Sequence, residues 1–129
     1  MTTIDQNITI AELMGWAPHP ENSKRKLEDR SWRNNVEVRT YNYTCGDDFG
    51  IGIEGYRPIP RYAESLDAMH EVEKIMNLKQ WNKYVKTLAR VIANEHDSTV
   101  KVSVPMNVLI AASAEQRSEA FLRVLGLWT

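Results

Sequence analysis

The strongest helical pattern in the chain lies at residues 78–92. Leu78, Trp81, Val85, Leu88 and Ile92 recur at three- and four-residue spacing and form one continuous stripe, which Tyr84 and Val91 widen. Asn77 stands just before it and Gln80 three positions later, a spacing that lets side chain and backbone cap each other reciprocally. The pattern predicts a long helix with Trp81 in the core. A shorter stripe precedes it: Tyr62, Leu66, Met69, Val72 and Met76 share one side of a helix. Ser65 or Tyr62 stands near its start, Asp67 suits the positive end of its dipole, and it stops near Asn77. Glu71, Glu73 and Lys74 fall on the solvated face in this reading. Near the N-terminus, Ile10, Leu13 and Met14 predict a helix capped by Thr9, with Glu12 three residues on, and ended by Gly15, whose missing Cβ tolerates left-handed closure. At the other end, Ala120, Phe121, Val124 and Leu125 predict a last helix that starts from a Ser113–Gln116 cap and closes at Gly126. Leu127 and Trp128 are expected to fold back against the body, and "MNVLIAAS" before that helix reads as a short helix or turn.

Two-residue alternation marks the strands. In "NVEVRTYNYT", Val36, Val38, Thr40 and Asn42 point one way and Glu37, Arg39, Tyr41 and Tyr43 the other. "CGDDFG" then turns the chain and "IGIEGY" returns it as an antiparallel partner. "TVKVSV" predicts a third short strand, with Val100, Val102 and Val104 inward and Thr99, Lys101 and Ser103 outward, ended by Pro105. Pro58 and Pro60 hold "YRPIP" extended. "APHPENSK" and "NEHDST" read as loops, the first opening a stretch around residues 18–30 that is expected to be mobile. Few strands with helices before and after them predict an α/β or α+β fold: a small α–β–α sandwich whose short, mostly antiparallel sheet is covered by helices. No repeat or linker divides the 129 residues, so the expectation is one domain over 1–129.

Charge and composition narrow the function classes. Sixteen basic residues against seventeen acidic ones leave a net charge of -1, which gives no global attraction to nucleic acid. The single cysteine, Cys45, excludes an intrachain disulfide and a multi-cysteine zinc site, and suits a reducing compartment. The first residues lack a basic region followed by an apolar run, and no apolar run reaches membrane-spanning length, so neither a signal peptide nor a membrane partner is expected.

The candidate chemistry is sparse. His70 and Glu73 are three apart on a helix and meet on one face, which makes them the candidate acid–base or metal pair. The zinc-helix signature needs a second histidine one turn on, and "HEVEK" lacks it. A catalytic zinc site also wants three protein ligands. Asp47 and Asp48 are the other candidate metal ligands, although a tight turn wants the same short polar residues. Cys45 has no local base to activate it and reads as a packed thiol. "GDDFGIGIEG" has glycines but neither the lysine nor the hydroxyl of a phosphate loop, and there is no serine nucleophile elbow. No cofactor is expected. Lys24, Arg25, Arg30 and Arg33, within "KRKLEDRSWR", form a local basic cluster suited to phosphate or to an acidic partner. Trp32, Tyr41 and Tyr43 divide between core packing and an exposed docking surface, because aromatics with a polar tip suit contacts between proteins.

Four blocks together resemble a known family: "MGW" at Met14–Trp16, "PIPRYAESLDAMHEVEKIM" at Pro58–Met76, "WNKY" at Trp81–Tyr84 and "ASAEQRSEAFLRVLGLW" at Ala112–Trp128. They are similar to the small bacteriophage and prophage proteins grouped as the phage ABA sandwich domain. Tyr62, Leu66, Asp67, Ala68, Met69, His70 and Glu71 match the run that precedes a helix in that family, with Ser65 where aspartate is common. Ala112, Gln116, Arg117, Glu119, Ala120, Phe121, Leu122, Arg123 and Gly126 match its C-terminal run, with Ser113 in the capping role of threonine. The resemblance implies an α–β–α sandwich encoded by a phage, working in the host cytoplasm, and brings no catalytic residues with it. Fold alone does not settle activity. The favoured expectation is an accessory protein that binds a host protein, for instance part of a defence system, with homo-oligomerisation left open. The alternatives are a small-ligand or metal-binding protein or minor hydrolase using His70 and Glu73, and a weak nucleic-acid binder through residues 24–33.

Overall fold

The computed structural model describes residues 1–26, 30–34, 56–95, 97 and 99–129. The strand predicted over "NVEVRTYNYT" and the turn after it lie outside the described residues, as do Tyr41, Tyr43, Cys45, Asp47, Asp48 and His96. The described elements are helices α1 (Thr3–Leu13), α2 (Leu66–Glu73), α3 (Leu78–Ile92), α4 (Met106–Ile110) and α5 (Ala114–Val124), with strands β1 (Trp16–Pro18) and β2 (Trp32–Asn34). The class is mixed α+β, with a short two-stranded antiparallel sheet. Among the described residues no helix is long and apolar enough to cross a membrane. Two compact units divide the chain: Met1–Ile10 with Arg61–Thr129, and Ala11–Pro60.

In the first unit α3 packs chiefly on α5, with α2 also against α5 and α4 against α3. Its core gathers Ile10, Met69, Val72, Tyr84, Leu88, Phe121 and Leu122. Small residues in α5 let neighbours approach closely: Ala120 and Ser118 are fully buried, and the Ser118 hydroxyl donates to Gln6 Oε1 of α1 at 2.7 Å. Asn7 Oδ1 accepts from the Ala63 backbone N–H at 2.8 Å, fixing α1 to the turn before α2.

The helix starts show what spacing alone conveys. Asn77 and Gln80 form the predicted reciprocal cap on α3, with Gln80 N–H to Asn77 Oδ1 at 2.8 Å and Asn77 N–H to Gln80 Oε1 at 3.1 Å. Ser113 and Gln116 do the same for α5, and the Ser65 hydroxyl accepts from Ala68 N–H on α2. α1 departs from the expectation. Its cap is Thr2, whose hydroxyl accepts from Asp5 N–H at 3.1 Å while the Asp5 carboxylate accepts from Thr2 N–H at 3.2 Å. Thr9 lies inside the helix and its hydroxyl donates to the Asp5 carbonyl, a bond that a mid-helix threonine makes without ending the helix.

The long helix forms where the pattern places it, but its buried face is centred on Tyr84 and Leu88 rather than on Leu78 and Trp81. Leu78 is 76% exposed and Trp81 39%, so the first turn of α3 is its open end. Trp81 is therefore a surface residue, stacked on Tyr84 at 5.4 Å between ring centroids, and not a core one.

The strand predicted over "TVKVSV" is not formed. Val102 and Val104 are half-buried between exposed Lys101 and Ser103, so the alternation reports a two-sided environment, yet no ladder partner stands beside them among the described residues. The Asp97 side chain takes the Thr99 N–H at 2.9 Å, and the Asp97 carbonyl takes the Val100 N–H, so a local turn consumes the first donors of the segment. At the C-terminus Gly126 adopts φ +72°, closing α5 as predicted. Arg123 then lies over the half-buried Trp128 ring, 5.2 Å from its centroid, while Leu127 stays exposed.

In the second unit Gly15 takes φ +92° and turns the chain from α1 into β1. The segment expected as a loop thus contains β1 and a single 3-10 turn at Asn22–Lys24. β1 pairs antiparallel with β2 in the register Trp16↔Asn34, Ala17↔Arg33, Pro18↔Trp32, and Pro18 is tolerated because a two-strand ladder is all edge. Asn22 extends the pairing with its side chain, donating to Ser31 O at 2.9 Å and accepting from Ser31 N–H at 3.2 Å. Trp32 and Arg57 exchange both backbone hydrogen bonds, at 2.7 and 2.8 Å, and the Arg57 guanidinium covers the Trp16 ring.

Candidate functional site

Glu73 does not sit on a solvated face. It is 8% exposed, at the C-terminal end of α2, and its carboxylate accepts from Arg117 Nη1 at 3.1 and 3.4 Å. Arg117 comes from the buried side of α5 and spends its remaining donors on the backbone. Nε donates to the Ala112 carbonyl at 3.0 Å, and Nη2 to the Ile110 carbonyl at 2.8 Å and the Leu109 carbonyl at 3.4 Å. One guanidinium thus holds the end of α2, the end of α4 and the first turn of α5. A charge-assisted pair with its other donors satisfied is the form in which a buried ion pair is tolerated.

Tyr84 of α3 completes the cluster. It is 1% exposed and lies beside the Glu73 carboxylate and the Arg117 guanidinium, yet its hydroxyl makes no well-aligned hydrogen bond. Burial, and after it the negative charge of Glu73, pushes the phenol well above its ordinary value, so it stays neutral.

Exposed apolar side chains lie on the segments that Arg117 bonds and at the start of α3. Ile75 follows Glu73 by two positions, Ile110 offers its carbonyl to the guanidinium, and Trp81 stacks on Tyr84; the side chains of all three are exposed. Leu78, at the start of α3, is 76% exposed, and Met106 of α4 is nearly as open. Such residues scattered singly are ordinary, but Leu78 and Trp81 are both open within the first four residues of α3.

His70 is brought near Glu73 but not into a catalytic arrangement. Its ring is more than half exposed and Nε2 is 3.9 Å from Glu73 Oε1, too long for a hydrogen bond, while the Glu73 oxygens are engaged by Arg117. Glu71 pairs instead with Lys74 at 2.8 Å. Among the described residues no three His, Cys, Asp or Glu side chains gather as a metal site would need. His19 belongs to the second unit, where its ring packs edge-on against Tyr56 and Nδ1 accepts from Glu21 N–H.

The basic cluster of residues 24–33 is only partly open. Lys24 is exposed, but Arg25 bonds Ser31 Oγ at 3.2 Å and Glu21 at 3.4 Å, and Arg30 and Arg33 are half-buried with their Nε atoms enclosed and unbonded. Trp32 is buried in β2 and so offers no exposed ring to a partner. A shallow cleft of about 130 Å³ lies between the C-terminal half of α3 and α5, edged by Arg90, Glu95, Glu119 and Arg123. Its arginines are engaged: Arg123 pairs with Glu119 at 2.9 Å and Arg90 donates to the Asp97 carbonyl at 2.8 Å.

Sequence reasoning gave Arg117 a place in a motif and no physical role. The signal was present: Glu73 stands four residues after Met69, and Arg117 four before Phe121, so opposite charges occupy the apolar faces of two helices. No family model, curated protein or solved structure matches this chain.

Proposed function

We propose that this chain is a binding protein that docks another protein on the exposed surface of α3 and its neighbours, and that it serves as a small phage accessory protein whose partner is a host protein, such as part of a defence system. The observation that carries the docking reading is the exposure of Leu78 and Trp81 on the uncovered first turn of α3, beside segments pinned by the Arg117–Glu73 pair. Covering a side chain as open as Leu78 contributes on the order of 2 kcal/mol. The phage and host-defence part rests on the motif blocks at Pro58–Met76 and Ala112–Trp128.

The test is affinity capture of the tagged chain from infected and uninfected bacterial lysates, with Leu78→Ser and Trp81→Ala variants alongside. The expected result is a stoichiometric host protein held by the native chain and lost by both variants. A native chain that retains nothing, or variants that retain the same protein, would overturn the reading.

A further inference from the structure

One face of the strands in the second unit gathers donors that lack an acceptor. The register sets Ala17 opposite Arg33 and, one step on, His19 opposite Ser31, where the His19 N–H donates to the Ser31 carbonyl at 3.0 Å. Side chains alternate along a strand, so Ser31 and Arg33 share a face with Ala17 and His19. Trp32 bridges to Arg57 on its other side, which brings Tyr56 beside Arg33 on that same face, and the His19 and Tyr56 rings meet there edge-on at 4.7 Å. Arg25 reaches the face from the end of the 3-10 turn, its Nη1 donating to Ser31 Oγ at 3.2 Å. Arg33 is half-buried, its Nε is enclosed and unbonded, and among the described residues no hydrogen bond or ion pair engages its guanidinium. Arg25 commits only two of its five N–H donors, and the second goes to exposed Glu21 at 3.4 Å, a contact that water screens. The Ser31 hydroxyl accepts from Arg25 and keeps its own proton to give. His19 Nδ1 accepts from the Glu21 N–H at 3.1 Å, which puts the ring proton on Nε2 as a further donor. A half-buried guanidinium without a counter-charge is costly, and an enclosed polar atom without a partner calls for an ion or a water beside it.

We propose that Arg25, Ser31 and Arg33, flanked by His19, form a binding site for a terminal phosphate group, free or carried by a small ester. The site lies wholly within the second unit and is independent of the docking reading above. Two guanidinium groups supply the charge that a phosphate dianion matches, and a hydroxyl and an imidazole N–H add donors for its remaining oxygens. A carboxylate offers two oxygens and a single charge, so it would leave one arginine unanswered. A nucleic-acid backbone fits less well, because it needs a basic track of several phosphate contacts, and this chain carries a net charge of -1. The frame is set before any ligand arrives: Asn22 clamps the Ser31 backbone through both of its side-chain atoms, at 2.9 and 3.2 Å, and Arg33 is fixed in the ladder.

The test is a titration of the isotopically labelled full chain with inorganic phosphate, followed by amide NMR, against sodium chloride at matched ionic strength. Adenosine 5′-monophosphate is the ester probe, and oligothymidylate without terminal phosphates presents phosphodiesters alone. The expected result is saturable shifts at His19, Arg25, Ser31 and Arg33 with phosphate and not with chloride, together with a rise in the Tm of the native chain. Arg33→Gln and Arg25→Gln are each expected to weaken binding about tenfold or more. The Lys24→Ala, Lys26→Ala double variant, which removes two exposed cations of the same basic run, is expected to bind as the native chain does. Arg33→Gln also removes an unpaired cation, so without phosphate it should unfold no earlier than the native chain, which separates a lost site from a lost fold. Tighter binding of the monophosphate than of inorganic phosphate supports an ester as the ligand, and equal binding supports free phosphate. Absence of saturable shifts, shifts elsewhere, unchanged affinity in Arg33→Gln, an equal loss in the lysine variant, or binding of oligothymidylate in place of phosphate would overturn the proposal.

Discussion

Arg117 and Glu73 form a buried ion pair, 3.1 Å from Nη1 to Oε2, between α5 and the last residue of α2. The pair is almost wholly withdrawn from water, so its worth lies in what its removal would leave behind: an uncompensated charge in the core. Arg117→Met or Glu73→Gln is expected to destabilise the protein by about 3–5 kcal/mol. The double change Arg117→Met, Glu73→Gln should cost less than the sum of the two single ones, while remaining below the native stability because the Leu109, Ile110 and Ala112 carbonyls lose their donor. Urea unfolding of the four proteins measures the coupling, and strictly additive costs would contradict it.

Tyr84→Phe acts in the opposite direction. It removes a buried hydroxyl that has no well-aligned partner, so stability at neutral pH is expected to hold or rise slightly. The folded phenol titrates above its unfolded value, so its contribution is whole below about pH 10 and is lost as pH rises from there through the folded value. The native protein should therefore lose stability on going strongly alkaline by more than the phenylalanine variant does, as read by urea unfolding at two pH values. Equal losses would contradict the burial of the Tyr84 hydroxyl in this cluster.

The caps separate helix starts that spacing identified from the one it missed. Asn77→Ala and Ser113→Ala are each expected to cost about 1 kcal/mol. At the start of α1, the Thr2 hydroxyl and N–H hold the Asp5 carboxyl below its ordinary value. The contribution of this contact is present at neutral pH and fades as pH falls through that depressed value. Thr2→Ala should return the Asp5 midpoint in an NMR titration toward the ordinary carboxylate value, and Thr9→Ala should leave it unchanged.

Much of the helical framework was legible in the sequence, because caps and helix ends are local chemistry. Asn77 with Gln80, Ser113 with Gln116, Gly15 and Gly126 each act within one turn of chain. What failed was long-range. The stripe through Leu78 and Trp81 gives the helical period but not which turns of it another element covers, and the first turn is exposed. The alternation places Val102 and Val104 half-buried but names no ladder partner, and Val100, expected inward with them, is exposed. Glu73 and Arg117 are 44 positions apart, and nothing near either residue names the other.

Leu78→Ser separates an interface role from a packing one. The side chain is open on the first turn of α3, so the change is expected to alter stability by no more than about 0.5 kcal/mol while weakening partner capture. A large loss of stability would show that Leu78 is covered by the protein itself.

Hydrogen exchange on the captured complex tests the docking surface most directly. The account predicts that partner binding slows amide exchange in the segment from Ile75 to Lys86 and in α4, and leaves β1 and β2 unchanged. Protection confined to the strands, or unchanged exchange across α3 in a saturated complex, would contradict it.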